Sequence, residues 1–120
     1  MNLLEVFSSS DDLVEFPAGA TIIHEGEKAT HMYVVMKGDV IISLKKKVLA
    51  RAFPGDIIGE MALINSDIRS ASVTARCACQ LVLIDESSFN ALLKHVPDFN
   101  MHVMNVLASR LQSAYDMIDH

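Results

Sequence analysis

Ile58-Gly59-Glu60-Met61-Ala62-Leu63-Ile64, then Asn65 to Ile68, then Arg69-Ser70-Ala71-Ser72-Val73-Thr74-Ala75, is the most informative run in the 120-residue chain. A glycine lets a ligand or a turn approach the backbone closely. Glu60 to Ile64 can form one helical turn, whose free N–H groups attract an anion. Nine residues after Glu60 comes Arg69, at the head of an apolar strand, where a guanidinium needs an acidic partner or must snorkel to water. A guanidinium matches a phosphodiester with paired hydrogen bonds. A carboxylate such as Glu60 accepts from a sugar hydroxyl. One loop thus offers an anion hole, a cation and a hydroxyl acceptor.

Outward from this loop the chain reads as short strands. Leu13 to Phe16 alternates and Pro17-Ala18-Gly19 turns it. Thr21-Ile22-Ile23 precedes the turn His24-Glu25-Gly26-Glu27, and Met32 to Met36 and Val40 to Leu44 flank the hairpin signal Lys37-Gly38-Asp39. Val48 to Phe53 ends at Pro54-Gly55-Asp56, and Ser70 to Ala75 and Gln80 to Ile84 complete the set. Lys45-Lys46-Lys47 lies between two apolar strands and reads as a solvated hairpin tip. Strands this short and evenly spaced predict a sandwich or barrel.

After Ile84 the period changes. Asp85-Glu86-Ser87-Ser88 offers N-capping groups, and Phe89, Leu92, Leu93 and Val96 follow at helical spacing. Pro97 breaks that helix and opens a second, from Asp98 to Asp119. The second helix carries two apolar stripes. One holds Phe99, Val103, Val106, Leu107 and Ala114, and the other holds Met104, Ala108, Leu111, Tyr115 and Ile118. One stripe suits a core and the other a partner helix, which predicts a homodimer through the C-terminal helix; a single broad core face is the alternative.

Composition narrows the classes. Hydrophobic residues make up 51% and charged residues 21%, enough for one packed domain over residues 1–120. The jelly-roll part is expected over about 11–85 and the helices over about 86–120. Apolar runs are far shorter than a membrane span, and the N-terminus lacks the marks of a secretory signal. A net charge of -5 argues against nucleic-acid binding by this chain alone. Cys77 and Cys79 are too close for an ordinary disulfide and too few for zinc, so they read as reduced thiols in a cytoplasmic protein. The five histidines are scattered without metal-ligand spacing, and no nucleophile–base arrangement is readable, so neither a metal nor catalysis is expected.

The run Gly59-Glu60-Met61-Ala62-Leu63, with Arg69-Ser70-Ala71-Ser72-Val73, resembles the phosphate-binding cassette of the cyclic-nucleotide-binding domain family. That family includes the bacterial catabolite activator and the regulatory subunits of cAMP-dependent kinase. The resemblance extends over Phe16-Pro17-Ala18-Gly19, His24-Glu25-Gly26-Glu27, Val35-Met36-Lys37-Gly38 and Pro54-Gly55-Asp56-Ile57-Ile58, and over both helices. It implies a mainly β fold, an eight-stranded double-stranded β-helix jelly roll, with an α-helical subdomain at the C-terminus. It also implies a non-enzymatic sensor of cAMP or cGMP. Glu60 would take the ribose 2′-hydroxyl and Arg69 the exocyclic phosphate oxygens. Backbone N–H groups near Met61, Ala62 and Ala71 would complete the cradle, with Gly59 also among the ligand-binding residues, Ser70 near phosphate or base and Arg110 reaching toward the base. A Thr-Ser pair contacts adenine in the bacterial activator, whereas this chain has Ala114 and Tyr115 there, which leaves the choice between adenine and guanine open.

Ligand binding would repack the C-terminal helices about a hinge near Pro97. Two other readings are an interaction module with a vestigial site, and the effector part of a gene regulator. The chain stops at His120 without room for a helix-turn-helix. Metal-dependent cupins share the jelly roll, but no His-x-His pair occurs here.

Overall fold

A computed structural model describes residues 2–8, 10–60 and 68–118. Two compact units are distinguished, Asn2–Glu86 and Ser87–His120. The first holds a short helix α1 (Leu3–Val6), capped by the Asn2 side chain, which accepts the Leu4 N–H at 3.1 Å. Eight strands follow among the described residues: β1 (Leu13–Phe16), β2 (Thr21–Ile23), β3 (His31–Lys37), β4 (Val40–Leu44), β5 (Lys47–Ala52), β6 (Ile57–Ile58), β7 (Ser72–Ala75) and β8 (Cys79–Asp85).

They form two four-stranded antiparallel sheets, β1-β8-β3-β6 and β2-β7-β4-β5. Consecutive strands fall in different sheets at most steps, which is the jelly-roll arrangement the sequence reading anticipated. Inward side chains of both sheets meet in one core of Ile22, Ile23, Tyr33, Val35, Val40, Ile58, Val73 and Leu81. Each such aliphatic side chain stabilises the fold by about 1.5–3 kcal/mol relative to exposure. Along β3, Met32, Tyr33, Val34 and Val35 are all buried, which explains why this strand reads as a continuous apolar run rather than an alternation.

Two local details depart from the sequence reading. The β4–β5 hairpin closes in two residues, with Leu44 opposite Lys47 and both Lys45 and Lys46 at positive φ (50° and 70°). That backbone favours Asn-Gly, so three lysines gave no hint of so tight a turn. The strand expected from Ser70 begins at Ser72, because Arg69 is bonded through its backbone to the β2–β3 turn and Ser70 and Ala71 lead out of that clamp.

The second unit holds α2 (Glu86–His95) and α3 (Pro97–Ile118). Pro97 is the first residue of α3, where its missing N–H costs nothing. Phe89 and Phe99 are both buried and meet edge to face, with ring centroids 6.0 Å apart. On α3, Phe99 and Val103 are buried while Met101, Met104 and Leu111 are each more than half exposed. Of the two stripes read from sequence, one is inward at Phe99 and Val103, and the other is exposed at Met104, Ala108 and Leu111. No helix among the described residues is long and apolar enough to cross a membrane.

Candidate functional site

Three chain segments converge on Arg69. Its N–H donates to Glu27 O at 2.8 Å and its carbonyl accepts the Gly26 N–H at 2.9 Å, so the β2–β3 turn grips the residue by its backbone. One residue earlier, Ile68 bridges to Lys28. With the backbone fixed, the side chain turns inward and only 6% of the residue is exposed. Its Nη1 donates to Gly59 O at 3.0 Å and its Nη2 to His31 O at 2.5 Å.

The two acceptors are neighbours by sheet register. β6 pairs with β3 at Tyr33↔Ile58 and Val34↔Ile57, and continuing that pairing brings Gly59 and Glu60 beside Met32 and His31. Gly59 has φ +80°, a conformation that disfavours any side chain. A Cβ there would lie 2.5 Å from Arg69 Nη1 and 3.0 Å from Ile23 Cδ1. The glycine is needed twice, for its backbone angle and because the guanidinium lies against it.

Glu60 is completely buried. Burial pulls the Arg69 pKa down, and the charges of Tyr33, Glu60 and Glu27 oppose that shift. The Tyr33 hydroxyl is 3.0 Å from His31 Nε2, and the His31 Nδ1 is 2.9 Å from Thr30 Oγ1. Burial first, and then the Arg69 charge, hold the His31 pKa below its ordinary value, while burial raises that of Tyr33. The site therefore sets a buried cation within the field of a buried carboxylate, with neutral polar rings beside the cation.

Of the residues singled out from sequence, Gly59, Glu60 and Arg69 are brought together. Ser70 is exposed and Ala71 half-buried, both on the segment leaving Arg69. Met61 and Ala62 lie outside the described residues, as do the side chains of Ser113, Ala114 and Tyr115. Arg110 is half-buried on α3, in the helical unit.

Two features escaped the sequence reading. Glu25 joins the site to the hairpin tip: its N–H donates to Ser72 Oγ at 3.0 Å, and its Oε1 accepts the Lys45 N–H at 2.9 Å. The Ser72 in the Arg-Ser-Ala-Ser run was the available signal. The other is a second charge cluster. Asp39, 6% exposed, accepts Arg76 Nε and Nη2 at 2.6 and 2.7 Å and Arg51 Nη2 at 2.5 Å. These bonds hold its carboxyl far below the usual carboxylate range. Arg51 and Arg76 lie 12 and 37 residues away in sequence, so nothing local announced them.

The chain is thus a two-sheet jelly roll in which a buried arginine and a buried glutamate meet at a positive-φ glycine. Comparison with known proteins names its class. The family described as the cyclic nucleotide-binding domain matches residues 13–96, and the chain belongs to that family.

The chain is 36% identical over 115 residues to the cAMP-activated global transcriptional regulator CRP of Salmonella typhimurium, covering 91% of this chain and 55% of the regulator. It thus spans about half the length of that relative. Among solved structures, the Thermus thermophilus catabolite activator protein superposes with a TM-score of 0.78 at 28% identity, covering 89% of this chain and 53% of the activator. The cAMP-bound PfPKA-R fragment superposes with the same TM-score, 0.78, and identity, 28%, covering 98% of this chain and 41% of that one.

Proposed function

We propose that this chain is a regulatory module that binds a cyclic 3′,5′-nucleotide, cAMP before cGMP, and performs no catalysis itself. The observation that carries this reading is the inward guanidinium of Arg69, bonded through Nη1 and Nη2 to two uncharged carbonyls beside the buried Glu60. Those bonds position the cation without cancelling its charge. A cyclic phosphodiester supplies one negative charge to the guanidinium, and its ribose 2′-hydroxyl donates to Glu60. By resemblance to the family, backbone N–H groups near Met61, Ala62 and Ala71 would complete the phosphate cradle, with Ser70 near phosphate or base. The preference for cAMP rests on the relatives, whose names carry that ligand.

Binding biases the C-terminal helices between two packings about the α2–α3 break at Pro97, by as much as the nucleotide prefers one state. The exposed Met101, Met104 and Leu111, spaced three and seven residues apart, suit a second copy of α3, so the working form is a homodimer of a cytoplasmic regulator. Sedimentation velocity tests this: a dimer at micromolar concentration is expected, and a monomer throughout removes the seam.

A melting scan tests ligand binding. Nucleotide at a hundred times Kd adds about 2.7 kcal/mol, a rise on the order of 10 °C for a domain this size. A shift with cAMP, smaller with cGMP, is the expected result. No shift with either leaves an interaction module with a vestigial site.

A further inference from the structure

The far end of β3 holds two thiols that the nucleotide site does not use. Cys77 is half-buried and Cys79 buried, and neither is in a disulfide. Gly38, at φ +79°, turns its bare Cα toward both of them. A Cβ there would lie 2.8 Å from Cys79 Sγ and 3.2 Å from Cys77 Sγ. The two sulfurs are therefore within about 6 Å of each other.

Asp39 organises the surroundings. Cys77 Sγ is 3.5 Å from Asp39 Oδ1, and Cys79 Sγ donates to Asp39 O at 3.2 Å and to Cys77 O at 3.1 Å. Arg51 and Arg76 both bond the Asp39 carboxylate, so two cations face one anion and the cluster carries one positive charge. The Asp39 hydrogen bond is the main reason Arg76 holds its proton more firmly, and the two sulfurs add to it, while burial raises the Cys79 pKa.

This combination selects a ligand class. Among the described residues no group of three or more His, Cys, Asp or Glu side chains is placed to hold a metal ion, which leaves out zinc and other four-coordinate ions. Two sulfurs suffice for a two-coordinate soft ion. We propose that Cys77 and Cys79 form a binding site for a monovalent thiophilic d10 cation, of which Cu(I) and Ag(I) are the examples.

Binding breaks two S–H bonds and forms two S–metal bonds. Two protons pass to solvent and no oxidation state changes. The resulting bis-thiolate complex carries one negative charge, which the positive charge of the Arg51–Asp39–Arg76 cluster offsets. A divalent ion would leave that positive charge uncompensated. The half-buried Cys77 is the point of entry, and capture replaces the hydrogen bonds of both thiols with metal bonds while Asp39 keeps its two arginines.

The test is an anaerobic competition in which Cu(I) is presented in a bicinchoninate complex to the full chain. The expected result is one ion taken per chain, a sulfur-to-copper charge-transfer band in the near ultraviolet, and protection of both thiols from maleimide. Cys77→Ser, at a half-buried position, keeps the fold and weakens capture by about a hundredfold, since it removes half the coordination. Failure to compete, capture of one ion by each thiol separately, or wild-type affinity in Cys77→Ser overturns the proposal. The wild-type protection assay needs no substitution, so it decides the matter independently of any variant.

Discussion

β3 connects two arginine–carboxylate clusters, about 20 Å apart at its ends, that are wired differently. At the Lys37 end, Asp39 is the buried partner, and Arg51 and Arg76 reach it from outside with side chains about half exposed (47% and 49%). There both cations share the one Asp39 carboxylate at hydrogen-bond distance. At the His31 end the arginine is the buried partner. Arg69 is held by backbone carbonyls, and Glu60 and Glu27 act on it through their fields. The first cluster ties together the β3–β4 turn, β5 and the β7–β8 turn. The second holds a cation ready inside the fold. A buried carboxylate bonded to two half-exposed arginines staples strands, whereas on the proposed reading the carbonyl-held guanidinium is the group that meets the ligand phosphate.

This contrast can be broken most severely at Gly59. Gly59→Ala drives a methyl into Arg69 Nη1 and strains a φ of +80°, which costs about 1–3 kcal/mol from the backbone alone. A lower melting temperature together with loss of nucleotide binding is expected. A variant with normal stability and affinity, measured by calorimetry and melting, would mean the guanidinium does not need that approach.

A smaller effect separates the two ends by pH. Asp39 has its pKa depressed below the ordinary 3.8 by the two arginines, so its folded state favours the carboxylate. That stabilisation is complete well above the unfolded value and is lost progressively as pH falls from there toward the lower folded value. His31 has its pKa depressed below 6.5 by burial and by Arg69, so the unfolded chain binds the proton more readily and stability declines as pH drops below 6.5. Melting curves between pH 7.5 and 3 should therefore show two distinct regions. His31→Gln flattens the upper one and Asp39→Asn the lower one. A His31→Gln profile that keeps the wild-type slope near pH 6 would show that the ring does not report on Arg69.

Much of this was legible in the residues themselves. Turn signals such as Lys37-Gly38-Asp39 and Pro54-Gly55-Asp56 marked the strand breaks, and Gly59, Glu60 and Arg69 were singled out by residue type and spacing. What stayed hidden is what only tertiary pairing creates. Arg51 and Arg76 carry no local signal, since only the pairing of β4 with β5 and β7 brings them to Asp39. Positive φ at Lys45 and Lys46 contradicts the preference of lysine, so local propensity could not announce it; the Glu25 carboxylate, which accepts the Lys45 N–H, contributes to holding that turn. The Ser87–His120 unit was readable as two helices from its period and from Pro97, because helices depend on neighbours in sequence rather than on distant strands.

Isothermal titration of cAMP into the wild type, Arg69→Ala and Arg76→Ala is the decisive measurement. Arg69→Ala should weaken binding by about 2–5 kcal/mol, some thirtyfold to several thousandfold in Kd, while Arg76→Ala lowers stability and leaves Kd where it was. Equal affinity in the wild type and Arg69→Ala would contradict the account, since the cation held inside the fold would then have no anion to receive.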